Sequence, residues 1–186
     1  MRIISGKLKG KKLFFSKSSI TRPLKDSVKE SIFNIITHSK LLNIGLDNSN
    51  ILDLYSGFGS FGLECISRGA KKITFVEKNE MVVKTLKKNL LNLGIKKKAT
   101  IVVDHINNFL KHKLYEKYEI IFLDPPFSNS YFLKELELIK HKKNYKKDHV
   151  IIIHRERKSF DNFKDVFNTI IVKNYGRSKI IFGKFL

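Results

Sequence analysis

The chain has 186 residues, 42% of them hydrophobic, which is enough for a buried core and too apolar for a disordered segment. Its 37 Lys and Arg against 17 Asp and Glu leave a formal net charge of +20. That charge points to a polyanionic partner, most simply nucleic acid, although a composition rich in Lys, Ile and Asn is also what AT-rich genes produce. The single cysteine, Cys65, excludes an intrachain disulfide and a cysteine-based zinc site, and it reads as a small core residue on a helix. No apolar run approaches the ~18 residues of a membrane span, and the N-terminal stretch lacks the apolar centre of a signal peptide. A cytoplasmic protein of one domain, with no metal and no membrane partner, is expected.

Residues 2–5 and 11–15 read as two short strands, with Gly6 and Gly10 flanking a turn crowded by Lys7, Lys9, Lys11 and Lys12. This is either an edge hairpin whose charges block aggregation or an arm that touches RNA. Thr21-Arg22-Pro23 follows, with Thr21 as a cap and Pro23 in a first helical turn. Apolar residues at Leu24, Val28, Ile32, Ile35 and Ile36 then predict a helix to about His38 that packs on the sheet. Residues 43–50 form a polar linker, so 1–45 is an N-terminal extension and 46–186 the core.

Strand and helix alternate from there. Strands are predicted at 50–55, 72–77, 99–103, 118–123 and 149–154, and helices at 60–68, 79–93, 105–113 and 130–140. Val82, Val83, Leu86, Leu90 and Leu93 mark the buried stripe of the second of these helices, which Gly94 stops. This order predicts a Rossmann-like α/β fold with seven strands, mostly parallel. The runs 166–173 and 178–185, joined through Tyr175-Gly176-Arg177, predict a C-terminal hairpin with one antiparallel strand. The lysine-rich segment 140–147 reads as a solvated loop, and Lys96-Lys97-Lys98 as a similar turn.

Four successive apolar runs end in an acid: Asp53, Glu77, Asp104 and Asp124. In an open α/β sheet, ligands sit at the carboxyl ends of the strands. The first run leads into Gly57-Phe58-Gly59-Ser60-Phe61-Gly62, a loop that lets backbone approach a ligand at a helix start. Its G-x-G-x-x-G spacing also fits a dinucleotide fingerprint, and Glu77 lies where a ribose-binding carboxylate belongs. The fourth run ends in Asp124-Pro125-Pro126-Phe127. Two prolines end any ladder or helix, leaving the Asp124 carboxylate and the Pro125 carbonyl as rigid acceptors beside the Phe127 ring. Such a group suits a planar base with an exocyclic amine, which would donate two N–H bonds while the ring stacks on the base. Rate would then come from positioning and preorganised dipoles.

This set resembles a class I S-adenosylmethionine-dependent methyltransferase, and Asp-Pro-Pro-Phe resembles the motif of amino-group N-methyltransferases. Met1-Arg2-Ile3-Ile4-Ser5-Gly6-Lys7-Leu8-Lys9-Gly10-Lys11-Lys12-Leu13, Thr21-Arg22-Pro23 and Val28-Lys29-Glu30-Ser31-Ile32-Phe33-Asn34 narrow the likeness to the RsmD family, bacterial 16S rRNA guanine-N2 methyltransferases. The resemblance runs over nearly the whole chain. It implies that Asp53, Tyr55, Gly57 and Gly59 shape the methionine pocket of S-adenosylmethionine. It gives Glu77 to the ribose, Asp104 to the adenine amine and the Ile106 region to the ring. Asp124, Pro125, Pro126 and Phe127 would hold a flipped guanine, with Asp124 also bordering the cofactor. Arg22 and the lysines of the arm would close the site or bind RNA. The implied partner is 16S rRNA or an assembling 30S subunit, and nothing requires more than a monomer.

The chain departs from the family pattern at Leu24, Lys25, Phe58, Phe127 and His154, the last standing where an acid is frequent. Three other functions compete with this reading. One is the same chemistry on a DNA base or a protein glutamine. The others are a nicotinamide-dependent oxidoreductase, which leaves Asp-Pro-Pro-Phe unexplained, and a non-catalytic RNA-binding module.

Overall fold

The computed structural model describes residues 1–16, 24–112 and 116–186, so Thr21, Arg22 and Pro23 lie outside the described residues. The elements in chain order are α1 (Asp26–His38), β1 (Asn50–Leu54), α2 (Ser60–Ser67), β2 (Lys72–Val76), α3 (Glu80–Asn92), β3 (Ala99–Val102), α4 (Ile106–Lys111), β4 (Tyr118–Leu123), α5 (Phe132–Lys142), β5 (Tyr145–Glu156), β6 (Phe167–Tyr175) and β7 (Ser178–Phe185). They form a Rossmann-like seven-stranded sheet in the order β3-β2-β1-β4-β5-β7-β6. The first five strands are parallel, and β7 runs antiparallel to both β5 and β6. The strand order reverses between β1 and β4, which is where an open sheet leaves a crevice.

Both faces of the sheet are covered, which is why the strands read as unbroken apolar runs. Ile51, Phe75, Phe122 and Ile152 turn towards α1, α2 and α3 in one core cluster. Leu52, Val76, Ile121 and Ile153 turn towards α4 and α5 in the other. Cys65 is fully buried on α2. The helix ends follow ordinary electrostatics: Asp26 opens α1, and Asn79 caps α3 by accepting from the Met81 and Val82 amides.

Two expected features differ. The segment 140–147 is not a loop. Its first residues finish α5, and β5 begins at Tyr145, four residues earlier than expected from the sequence (145 against 149). Local partners explain this. Lys142 caps the Lys111 and His112 carbonyls, Lys146 pairs with Glu119, and Tyr118 pairs with Tyr145 before a bulge. The N-terminal hairpin is an antiparallel turn closed by one bridge, Arg2 to Lys12, rather than two full strands. The amides of Ile4 and Ser5 donate to the Glu64 carboxylate at 2.7 and 2.9 Å, and the Lys7 and Leu8 amides donate to Ser67. Backbone donors spent on α2 are not available to a partner strand.

Glu64 is therefore the anchor of the N-terminal arm. It also pairs with Arg68 at 2.8 Å and with the fully buried Lys29 at 3.8 Å. Burial pushes the Lys29 ammonium down from its ordinary range, against the raising pull of Glu64 and Asp26. Lys29 in turn donates to the Arg2 carbonyl at 2.8 Å. Glu64→Ala leaves the buried Lys29 ammonium with the part-exposed Asp26 as its carboxylate partner, at 3.6 Å, and frees two amides, so it is expected to lower unfolding stability by about 3–5 kcal/mol. Urea denaturation checks this, and a loss under about 1 kcal/mol would mean that the arm is held elsewhere.

Candidate active site

The parallel register of β1 and β4 sets the site. Leu54 lies beside Leu123, so Asp53 and Asp124 fall at neighbouring strand ends with the same face alternation. Asp53 is buried, and its Oδ2 accepts the Gly62 amide at 3.0 Å. Gly62 has to be glycine here, because a Cβ would meet the Phe75 ring at 2.3 Å and the Asp53 carboxylate at 2.9 Å. The third glycine of the motif thus serves helix–strand packing. Gly59 caps α2 at φ +82°, where a Cβ would strike Leu86 at 2.4 Å. Burial pushes the Asp53 carboxyl well above the usual carboxylate range, the Gly62 amide opposes this, and the charges of Asp124 and Glu77 push it further up.

The neighbouring acids are held by backbone amides. Glu77 accepts from Gly57 at 3.0 Å and from Asn79 at 2.9 Å, which leaves lone pairs on both oxygens for another donor. Asp104 accepts from the His105 amide and Asn108 through Oδ1, and its Oδ2 has no partner among the described residues. Ile106, two residues on at the start of α4, is largely buried in the second core cluster. Tyr55 takes φ +59°, an uncommon conformation for a bulky side chain. Its hydroxyl donates to Glu135 at 2.6 Å and accepts from Asn129 at 3.1 Å, so it ties the end of β1 to the loop after β4. Burial, with the Glu135 carboxylate beside it, pushes the Tyr55 hydroxyl up, and burial likewise raises Glu135.

In the Asp-Pro-Pro-Phe segment, Pro125 is buried, while Pro126 is exposed and Phe127 is 39% exposed. Arg155 donates to the Pro126 and Phe127 carbonyls at 3.2 Å each, and Asn129 donates to Pro126 as well. The Pro125 carbonyl has no donor among the described residues. Arg155 is itself fixed by Asp161 at 3.1 Å and by the Phe132 face at 4.4 Å. His154 approaches Asp124 Oδ1 with Nδ1 at 2.7 Å, and Phe127 meets the imidazole edge-on.

A cavity at this edge is lined by Asp53, Tyr55, Ser56, Gly57 and Asp124, with Met1 and Leu24 of the N-terminal extension forming one wall. It holds about 30 Å³, and the Asp124 side chain beside it keeps 25% of its surface open to solvent. The Ser56 hydroxyl is buried here without a partner among the described residues. A larger cleft of about 430 Å³ opens at the opposite ends of the strands, beside Asn43, Glu119 and Asp148, and contains none of the motif residues.

The four acids, the glycine loop, Tyr55 and the Asp-Pro-Pro-Phe segment thus share one edge of the sheet. Lys7 and Lys9 do not. They are exposed where the arm docks on Ser67, at the far end of α2, about 12 Å of helix from Gly59. Lys11 and Lys12 are exposed nearer its start, where Lys29 links Arg2 to Ser60. Arg22 lies outside the described residues.

Three contributors went unread in the sequence. Asn89 on α3 clamps the Phe14 backbone at 2.7 and 3.0 Å and donates to the Phe58 carbonyl at 3.2 Å, fastening the arm to the glycine loop. Glu64 and Arg155 are the others. A polar residue on an apolar stripe, as Asn89 is between Leu86 and Leu90, is the signal that could have found the first. Nothing local marks Arg155. Among the described residues, no group of three His, Cys, Asp or Glu is placed to hold a metal, and no helix is long and apolar enough to cross a membrane.

The family model described as "Conserved hypothetical protein 95" matches residues 1–184. The chain is 35% identical to ribosomal RNA small subunit methyltransferase D of Buchnera aphidicola subsp. Acyrthosiphon pisum over 156 residues, covering 84% of this chain and 78% of the relative. The chain belongs to the RsmD family. The Haemophilus influenzae protein of the same name is 38% identical over 129 residues, 68% of this chain and 64% of its own. The solved structure of Escherichia coli yhhF superposes with a TM-score of 0.85 at 25% identity, covering all of this chain and 97% of its own. Family membership accounts for the retained extension as well as the sheet.

The raised Asp53 carboxyl predicts a sign. The native state holds this proton more tightly than the unfolded chain, so the group costs stability as pH rises above about 4. Asp53→Asn keeps an acceptor for Gly62 and removes that cost. It should melt higher than the parent near pH 8, with the difference shrinking near pH 4. Equal differences at both values would show that Asp53 ionises without penalty.

Proposed function

We propose that the protein transfers a methyl group from S-adenosylmethionine to the exocyclic N2 amine of a guanine in 16S rRNA. The observation that carries this reading is the pair of acceptors at the end of β4. The Asp124 carboxylate keeps Oδ2 clear, and the Pro125 carbonyl has no donor among the described residues, whereas Arg155 occupies the next two carbonyls. Membership of a family with relatives named small-subunit rRNA methyltransferases supports it, as does the net charge of +20.

The residues suit S-adenosylmethionine. The unpartnered Ser56 hydroxyl, the Gly57 and Gly59 turn and the buried Asp53 line one end of the crevice. Glu77 and Asp104 follow along the same edge with carboxylate oxygen to spare for hydroxyls and an amine. When bound, the cofactor supplies an electrophilic methyl on a cationic sulfur, a charge that compensates the crowded acids. The chain's own residues do the rest. Asp124 and the Pro125 carbonyl accept the two N–H bonds of the amine and turn its lone pair away from the base plane. The half-exposed Phe127 ring stacks on the base, and Tyr55 ties the two loops together. Arg155 keeps the segment from shifting, which matters because rate depends on alignment. Exposed lysines hold phosphates, so RNA binding should weaken steeply with salt.

Wild type and Asp124→Ala are to be assayed with labelled S-adenosylmethionine on 16S rRNA and on 30S particles lacking the modification. Wild type is expected to yield N2-methylguanosine. Asp124→Ala should lose about 10²–10³-fold in kcat while binding cofactor within a few-fold. Cofactor binding without RNA labelling by wild type would move the substrate to a DNA base or a protein amide. No cofactor binding at all would end the methyltransferase reading.

A further inference from the structure

His154 stands at the end of β5, one strand from Asp124, on the sheet face that carries Asp53 and Asp124. Its Nδ1 lies 2.7 Å from Asp124 Oδ1. An ionised carboxylate only accepts, so Nδ1 carries the proton and donates. Nε2 is then the bare nitrogen of the neutral ring. It is buried and has no partner among the described residues, and the residue as a whole is 9% exposed. The imidazole also abuts the edge of Phe127, with centroids 5.6 Å apart and planes at 78°. One side chain thus touches both the carboxylate and the ring of the Asp-Pro-Pro-Phe segment.

The charged surroundings leave Asp124 as the partner that matters. Asp53 faces the same edge from β1. On β7 the residue opposite is Ile180, with Lys179 one step on and engaged with Asp161 and the Ser159 carbonyl. On β5 itself, Arg155 turns to the other face, over Phe132, and Glu156 lies beyond it, paired with Arg177. From α1 and α2, Lys29 is committed to Glu64 and Asp26, and Glu64 also to Arg68.

We propose that His154 is a positioning residue that aims the Asp124 carboxylate and, by its own protonation, sets whether that carboxylate can accept the substrate amine. This rests on the methyltransferase reading above. With neutral His154, Oδ1 is tied by one neutral donor, the carboxylate keeps its charge, and Oδ2 is presented to the amine. With protonated His154, the carboxylate is neutralised within an ion pair, and a second N–H is buried without an acceptor. The amine then meets a weaker acceptor, and methyl transfer slows on the acid side.

Two measurements test this. The first follows the His154 imidazole by NMR in the cofactor-free protein, in wild type and Asp124→Asn. The expected result is an Nδ1–H tautomer in wild type and a titration that moves to lower pH once the anion is removed. The second follows kcat from about pH 5 to about pH 9 in wild type, His154→Gln and His154→Leu. His154→Gln keeps a donor that does not titrate. It should run roughly 3–10-fold below wild type at the upper end and lack the acid limb. His154→Leu should fall about 10²-fold throughout, with cofactor Kd within a few-fold. An acid limb in His154→Gln identical to that of wild type overturns the proposal, and so does an imidazole titration indifferent to Asp124→Asn. Failure of wild type to methylate any RNA defeats the methyltransferase reading instead, and the NMR result still decides the His154–Asp124 coupling.

Discussion

The structure depends on crowding carboxylates at one edge of a sheet where, among the described residues, no Lys or Arg pairs with them. Asp53 is sealed from water, and Asp124 and Glu77 add like charge. A buried carboxylate is tolerated only when donors reach it. Here the donors are mostly backbone amides: Gly62 for Asp53, and Gly57 and Asn79 for Glu77. The glycine loop therefore has two tasks. It leaves room for a ligand, and it supplies the N–H groups that make its own acids bearable. Lys7, Lys9, Lys11 and Lys12 do not solve this problem, because they face water.

Rigidity at this edge comes from parts outside it. Asn89 fastens the N-terminal arm and the Phe58 carbonyl to α3, and Glu64 with Lys29 locks the same arm into the first core. Arg155, braced by Asp161 and Phe132, holds the carbonyls of Pro126 and Phe127. Tyr55 accepts a strained backbone to join the ends of β1 and β4 through Glu135 and Asn129. Strain of this kind persists where surrounding contacts overdetermine it. The N-terminal extension is thus a wall of the site through Met1 and Leu24 as much as an appendage.

Much of this was legible in one dimension. The strand and helix order and the C-terminal hairpin follow from periodicity, because a sheet covered on both faces demands continuous apolar runs. The acids stood out by recurring at strand ends. What could not be read were pairings across long separations. Glu64 meets Ile4 over sixty positions, and His154 meets Asp124 over thirty. The lysine-rich segment 140–147 looked like a loop because charge suggests solvent. β5 nonetheless carries Lys146 and Lys147 outward on the bulge between its Tyr145 and Val150 pairings with β4.

By itself, the sequence determined which residue types stand at the ends of the parallel strands. A carboxylate, two prolines and a ring in succession can present acceptors beside a stacking surface in few other ways. Only the tertiary structure decided which of those acceptors remain open. Arg155 closes two carbonyls, the Pro125 carbonyl meets no donor among the described residues, and His154 ties one oxygen of Asp124. The reason is physical: hydrogen-bond satisfaction belongs to atoms brought together by folding, and no local pattern of residues encodes it.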